Sequence, residues 1–352
     1  MRGRRSPTRN RVLRILGVAL ILMAGILPGF DAPVRAADSA VVLMYHRFGE
    51  DKYPTTSVSL EQFDAHLAEL KSGDYTVLPL KEIIETLRNG GEVPDNTVAI
   101  TIDDAHASLY ENGWPRLKEA GFPFTLFVAT ETLDQKNSFY MSWDQIRELA
   151  AAGVQIGSQS VTHLHMADAT GTVNRRELTV SADRIEAEIG ARPVYIAYPY
   201  GEASTAVMAA SRDAGYTAGF GQHSGVANAN SDFFYLPRFP MNMTYGDIDR
   251  FKRVVRTLPL PVEDLLPSDP LLTQNPPSFG FTIPARLGTL PNLACYHSAF
   301  QRLDKMERLG PRRIEIRFDE KFPPGRNRIN CTAPGPEGRW RWFGMQYYVS
   351  PS

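Results

Sequence analysis

Between residue 41 and about residue 220 the chain alternates short apolar runs with stretches of helical periodicity, and this rhythm admits few folds. The apolar runs fall at 41–45, 75–78, 97–102, 124–129, 154–157, 194–197 and 217–220. Between them, Leu60, Phe63, Leu67 and Leu70 recur at helical spacing, as do Leu178, Ala182, Ile185 and Ile189. Further helices are expected at 80–87, closed by Asn89-Gly90-Gly91, at 109–120, ended by Gly121, at 143–152, with Ser142 as N-cap and Gly153 as stop, and at 204–214. Strands that are apolar along their whole length need cover on both faces. The expectation is therefore an α/β fold, a parallel sheet sheathed by helices, open or closed into a barrel.

Barrels of this kind carry their chemistry at the C-terminal ends of the strands. There the chain places Asp103-Asp104, the stretch from Gln159 to His163, Tyr198-Pro199-Tyr200-Gly201 and His223. Of seven histidines, His46, His106, His163, His165 and His223 lie just beyond expected strands, whereas His66 falls within a helix and His297 near the C-terminus.

The flanks differ in texture. Arginines crowd the start, an apolar run follows at 15–27, and Val34-Arg35-Ala36 is a small-residue cleavage site, so residues 1–36 read as a secretory signal. The run is short for a bilayer span, and no later stretch is apolar enough to make one. The expected product is exported, to a periplasm or the exterior, with its barrel domain at 37–258. Seven prolines between 259 and 284 suggest a connector. Residues 285–352 read as a small antiparallel β module. Cys295 and Cys331 are the only cysteines, and in an oxidising compartment they should be bridged, contributing about 4 kcal/mol. A formal charge of −1 leaves no basic field for nucleic acid. Trp340, Trp342, Phe343, Tyr347 and Tyr348 are either one buried sheet face, the reading preferred here, or a platform for stacking sugars.

Thr101-Ile102-Asp103-Asp104-Ala105 sets two carboxylates at a strand end, where alternate side chains point oppositely. One can hold a metal while the other stays free as a base. The segment Gly157-Ser158-Gln159-Ser160-Val161-Thr162-His163-Leu164-His165 brings ligand-capable groups to another strand end, and the turn at Tyr198-Pro199-Tyr200-Gly201 exposes backbone N–H groups that could face an oxyanion.

In order and spacing these three segments resemble the polysaccharide deacetylase family, the NodB homology domain of the carbohydrate esterase family 4 type. Its motifs are Thr-Phe-Asp-Asp-Gly, His-Ser/Thr-x-x-His and Arg-x-Pro-Tyr. Met44-Tyr45-His46 and Gly121-Phe122-Pro123-Phe124-Thr125-Leu126-Phe127-Val128 are similar to the branch acting on bacterial N-acetylglucosamine polymers. The resemblance spans about residues 40–240. It implies a distorted (β/α) barrel and a divalent metal ion, most readily zinc. The implied reaction is hydrolysis of an N-acetyl group from an N-acetylated glycan, with Asp103 as base, Asp104 and His163 as metal ligands, and the Tyr200 N–H in the oxyanion hole.

Three positions depart from the pattern. Gln159 stands where the first histidine ligand is expected, so either its carbonyl coordinates or His165 or His46 supplies the missing nitrogen. Ala197 replaces the motif arginine, and Arg238 could reach across the barrel mouth to hold Asp103 ionised. No Leu-x-His motif follows, which leaves His223 as the candidate general acid. Two other readings stay open: a weak or inactive glycan-binding member of the fold, and a structural or assembly protein of the envelope.

Overall fold

The computed structural model describes Gly3 and residues 36–351, so the signal-segment reading lies outside the described residues except for Gly3 and Ala36. Among these residues a nine-stranded sheet forms the core of the first domain. Its main path runs from Ala218–Phe220 through Tyr195–Ala197, Gln155–Ser158, Thr125–Val128 and Thr97–Asp103 to Ser39–Tyr45, all parallel. All seven residues of both Ser39–Tyr45 and Thr97–Asp103 are buried, as expected for strands covered on both faces.

The two edges of the sheet meet through residues 236–240. Leu236 bridges to Phe220 at one edge, while Phe239–Pro240 pairs with Leu43 and Met44 at the other. Arg238 lies between these two attachments, and this places its long side chain at the heart of the barrel.

The helical cover follows local signals. Ser59 and Gln62 form a reciprocal capping box on Leu60–Ser72, as do Ser142 and Gln145 on Trp143–Ala151. Gly121 and Gly190 end their helices in the left-handed conformation. One helix departs from expectation. A π-helical turn at Leu109–Gly113 precedes the α-helix Trp114–Ala120. Pro115 has no N–H to donate, and its ring would strike the Glu111 carbonyl. The turn widens, and Trp114 N–H bonds to Leu109 O instead.

The C-terminal module is larger than the sequence reading of residues 285–352. Its strands Glu263–Leu266 and Phe279–Thr282 come from the segment read as a proline-rich connector. The prolines sit beside and between these strands, where no ladder N–H is required. Two sheets, antiparallel except where Leu258–Pro259 pairs parallel with Trp340–Val349, enclose Phe279, Phe281, Ile314, Ile329 and Tyr347, and Trp340–Val349 and Gly325–Pro334 form the long hairpin. Cys295 and Cys331 oppose one another on paired strands and are disulfide-bonded. The C-terminal aromatics divide: Tyr347 and Tyr348 are buried, while Trp340 is exposed.

Candidate active site

Asp103 ends its strand with no exposed surface, and Arg238, equally buried, meets it with both ends of the guanidinium. Nη1 donates to Oδ1 at 2.7 Å and Nη2 to Oδ2 at 2.8 Å. Arg238 Nε donates to Gly221 O at 3.0 Å, and Nη1 also reaches Thr101 Oγ1 at 3.1 Å. Burying either charge alone would cost several kcal/mol, and only the fork-on-carboxylate geometry with these added acceptors makes the arrangement tolerable.

Asp104 turns the chain out of the strand at a φ of 71°, in the left-handed region. Its N–H donates to Phe127 O at 3.0 Å and to Gln159 Oε1 at 3.2 Å. The carboxylate lies between two imidazoles, with His106 Nε2 at 3.3 Å from Oδ2 and His163 Nε2 at 3.5 Å from Oδ1. Burial alone would push this carboxyl up, but the His106 hydrogen bond and the charges of His46, His163 and His106 hold it well below the usual carboxylate range. Burial pulls His163 down, against the opposing pull of Asp104 and Asp103. A divalent metal takes an imidazole in its neutral form, the form that this burial favours. His46 closes this side, its Nε2 at 3.9 Å from Asp103 Oδ2.

Left-handed backbone gathers here. Asp104, Ala105, Ser160, His163 and Tyr200 all have positive φ, and all belong to the three motif segments. Such conformations cost about 1–3 kcal/mol each and persist only where surrounding structure enforces them. The Tyr200 ring stacks on His165 at 4.3 Å and meets the edge of His163 at 4.6 Å. His165 Nδ1 bonds the buried Glu202 carboxylate at 2.6 Å. Burial raises Glu202 above its ordinary range, a shift that His165 opposes. The module reaches this point too: Gln346 Nε2 donates to Tyr200 O at 3.1 Å, and the Arg326 guanidinium lies 5.7 Å from the Tyr200 ring centre.

The fold thus brings together Asp103, Asp104, Gln159, His163, His46 and Arg238, with Tyr200 and His165 beside them. His223 stands apart. Its ring packs at 4.5 Å against Tyr235, burial drives it down to about 3, and none of its contacts is to Asp103 or Asp104. His165 is turned to Glu202 rather than to Asp104. Two partners escaped the sequence reading. His106 was counted among the strand-end histidines but given no role, though its place two residues after Asp104 was a usable signal. Glu202 follows the third motif directly, but nothing local marks it as the partner of a histidine 37 residues earlier.

The residues partly fit a divalent ion. Asp104 Oδ1 is buried without a hydrogen-bond partner and faces His163, a carboxylate and imidazole pair suited to zinc. The Gln159 carbonyl is engaged by Asp104 N–H, and its Nε2 is buried without a partner. Among the described residues no three His, Cys, Asp or Glu side chains converge as a complete site.

Comparison with known proteins agrees with the geometry. The polysaccharide deacetylase family pattern matches residues 90–219. The poly-β-1,6-N-acetyl-D-glucosamine N-deacetylase of Staphylococcus aureus strain N315 is 25% identical over 266 residues, covering 65% of this chain and 91% of that protein. The fold is similar to the Streptococcus pyogenes deacetylase PplD, with a TM-score of 0.58 and 21% identity over 62% of this chain and 98% of that one. It is also similar to IcaB from Ammonifex degensii, with a TM-score of 0.55 and 23% identity over 63% and 98%. Residues 90–219 thus match a polysaccharide deacetylase domain, within a chain folded as a distorted (β/α) barrel and followed by a β-rich C-terminal region.

Proposed function

We propose that the chain is an exported, metal-dependent hydrolase that removes N-acetyl groups from an N-acetylglucosamine-containing glycan. The observation carrying this reading is the pairing of a buried Asp103, fixed by Arg238, with its neighbour Asp104, whose free oxygen faces His163. Asp104 and His163 would hold the ion, with His46 or the Gln159 carbonyl completing the set. Bound there, a divalent ion supplies Lewis acidity toward an amide carbonyl and acidifies water. Asp103 takes the proton of the attacking water as the new C–O bond forms, and Arg238 keeps the carboxylate aimed. The N–H of Tyr200, held in its left-handed turn, donates to the developing oxyanion. His165, oriented by Glu202, hands a proton to the departing sugar amine as the C–N bond breaks, so acetate leaves with the oxygen. This moves the proton-donor role from His223 to His165.

The disulfide between Cys295 and Cys331 supports export, since such bonds persist in oxidising compartments. No described helix is long and apolar enough to cross a membrane. A second reading, a weak or inactive glycan-binding member of the family, draws support from Gln159, whose carbonyl is committed to Asp104 N–H. Acetate release from defined N-acetylglucosamine oligomers, with and without a chelator, separates the two. The deacetylase reading requires release that the chelator stops and that Asp103→Asn abolishes while bound metal is retained. Folded protein that carries metal yet releases no acetate from any N-acetylated oligomer overturns it.

A further inference from the structure

A cleft of about 720 Å³ begins at His46 and runs between the barrel mouth and the C-terminal module. The module wall is written in the period-2 pattern of the Gly325–Pro334 strand. Asn327, Ile329, Cys331 and Ala333 are buried in the module, so Arg326, Arg328 and Asn330 face the other way, into the cleft. Among the described residues no aspartate or glutamate lines this cleft, whereas three arginines do. One of them, Arg250, is spent on the backbone carbonyls of Pro240 and Tyr245. Arg326 lies 3.9 Å from Glu202 Oε1, which His165 also engages through its other oxygen.

Arg328 is different. It is half-buried, its Nε donates to Gln346 Oε1 at 3.0 Å, and Gln346 is itself tied to Tyr200 O. Among the described residues no carboxylate lies within ion-pair reach of Arg328, and neither Nη1 nor Nη2 meets an acceptor. With Nε occupied, the Nη1–Nη2 edge is the free side of a planar fork, and that edge matches the two oxygens of a carboxylate. A partly desolvated cation without a counter-ion is unfavourable, and a bound anion removes that penalty. Tyr296 and Trp342 line the same cleft with partly exposed rings, giving flat apolar surface beside the charge.

We propose that this cleft is a substrate subsite for a carboxylate-bearing sugar, with Arg328 as its principal ligand and Arg326 beside it. The glycan that best suits the chain is then acidic rather than neutral. The inference rests on the deacetylase reading only for the placing of the acetamide; the anion site has its own readout.

The test is calorimetric binding of three probes to the full chain: an oligosaccharide alternating glucuronate with N-acetylglucosamine, its carboxyl methyl ester, and a neutral N-acetylglucosamine oligomer of equal length. The acidic probe should bind about tenfold or more tightly than the other two, the worth of one charge-assisted hydrogen-bonded contact. Arg328→Gln should erase that preference, and Arg328→Lys should keep part of it. Equal affinity for the acid and its methyl ester overturns the proposal, and because wild-type protein alone decides this, a poorly folding variant cannot rescue it. A preference that survives in folded Arg328→Gln overturns it as well. An acid preference without acetate release from any probe removes the deacetylase reading and leaves the anion site standing.

Discussion

Arg238 and Asp103, 135 residues apart in sequence, form a two-pronged ion pair from which solvent is wholly excluded. The pair joins the barrel-closing segment to the strand that ends in the motif carboxylates, so the same contact closes the fold and orients the site.

Arg238→Met should therefore destabilise the protein strongly, by about 3–5 kcal/mol, because it leaves Asp103 as an uncompensated buried charge. Adding Asp103→Asn to that variant should recover part of the loss. Urea denaturation of both singles and the double yields the coupling; a cost below about 1 kcal/mol for Arg238→Met would be that of an exposed pair and contradict the burial.

Gln159→His should tighten zinc by at least the roughly tenfold that an outer-shell partner contributes, because imidazole is a stronger donor than an amide carbonyl beside Asp104 and His163. Competition against a single chelator reads the change. If His46 already completes the shell, zinc affinity will stay flat or fall in this variant, and His46→Ala will strip the metal instead.

The protein should lose stability in mild acid through His66. Its ring is buried, meets Tyr45 Oη at 3.0 Å and Gly246 O at 2.7 Å, and stacks on Phe251 at 4.0 Å. Burial, countered in part by the Gly246 carbonyl, pulls it from 6.5 down to about 4. A depressed histidine contributes its stability above the unfolded value and loses it as pH falls. From pH 6.5 toward 4 the loss is about 1.4 kcal/mol per pH unit for this group. Chemical denaturation across that window should show a shallower pH slope for His66→Gln than for the wild type; parallel slopes would exclude His66 as the source.

The module should be sensitive to any side chain at residue 344. A Cβ on Gly344 would lie 1.9 Å from Ser224 O, a backbone atom of the barrel that cannot swing aside. Gly344→Ala should cost about 1–3 kcal/mol, the usual range for forcing a well-packed contact apart. A thermal melt that matches the wild type would show that the barrel and module are less closely joined than this contact requires.

Much of the architecture was legible in the residue order. The apolar runs mark the strands, and Ser59, Ser142, Gly121 and Gly190 mark helix ends, because strand period and helix caps are decided by neighbours within a few residues. The three motif segments were legible for the same reason: each is a strand end with its turn. Strands inside residues 259–284 were hidden, since edge strands flanked by proline carry little local pattern. Which arginine meets Asp103 could be named but not established from sequence. Only closure of the barrel between Leu236 and Phe239 brings Arg238 to the carboxylate. Only the turn at Asp104 sets His106 and His163 on opposite oxygens, and only the fold brings Glu202 to His165 and Arg328 to the cleft. These are contacts between distant segments, whose geometry comes from packing of the whole sheet and module, and no short stretch of sequence contains it.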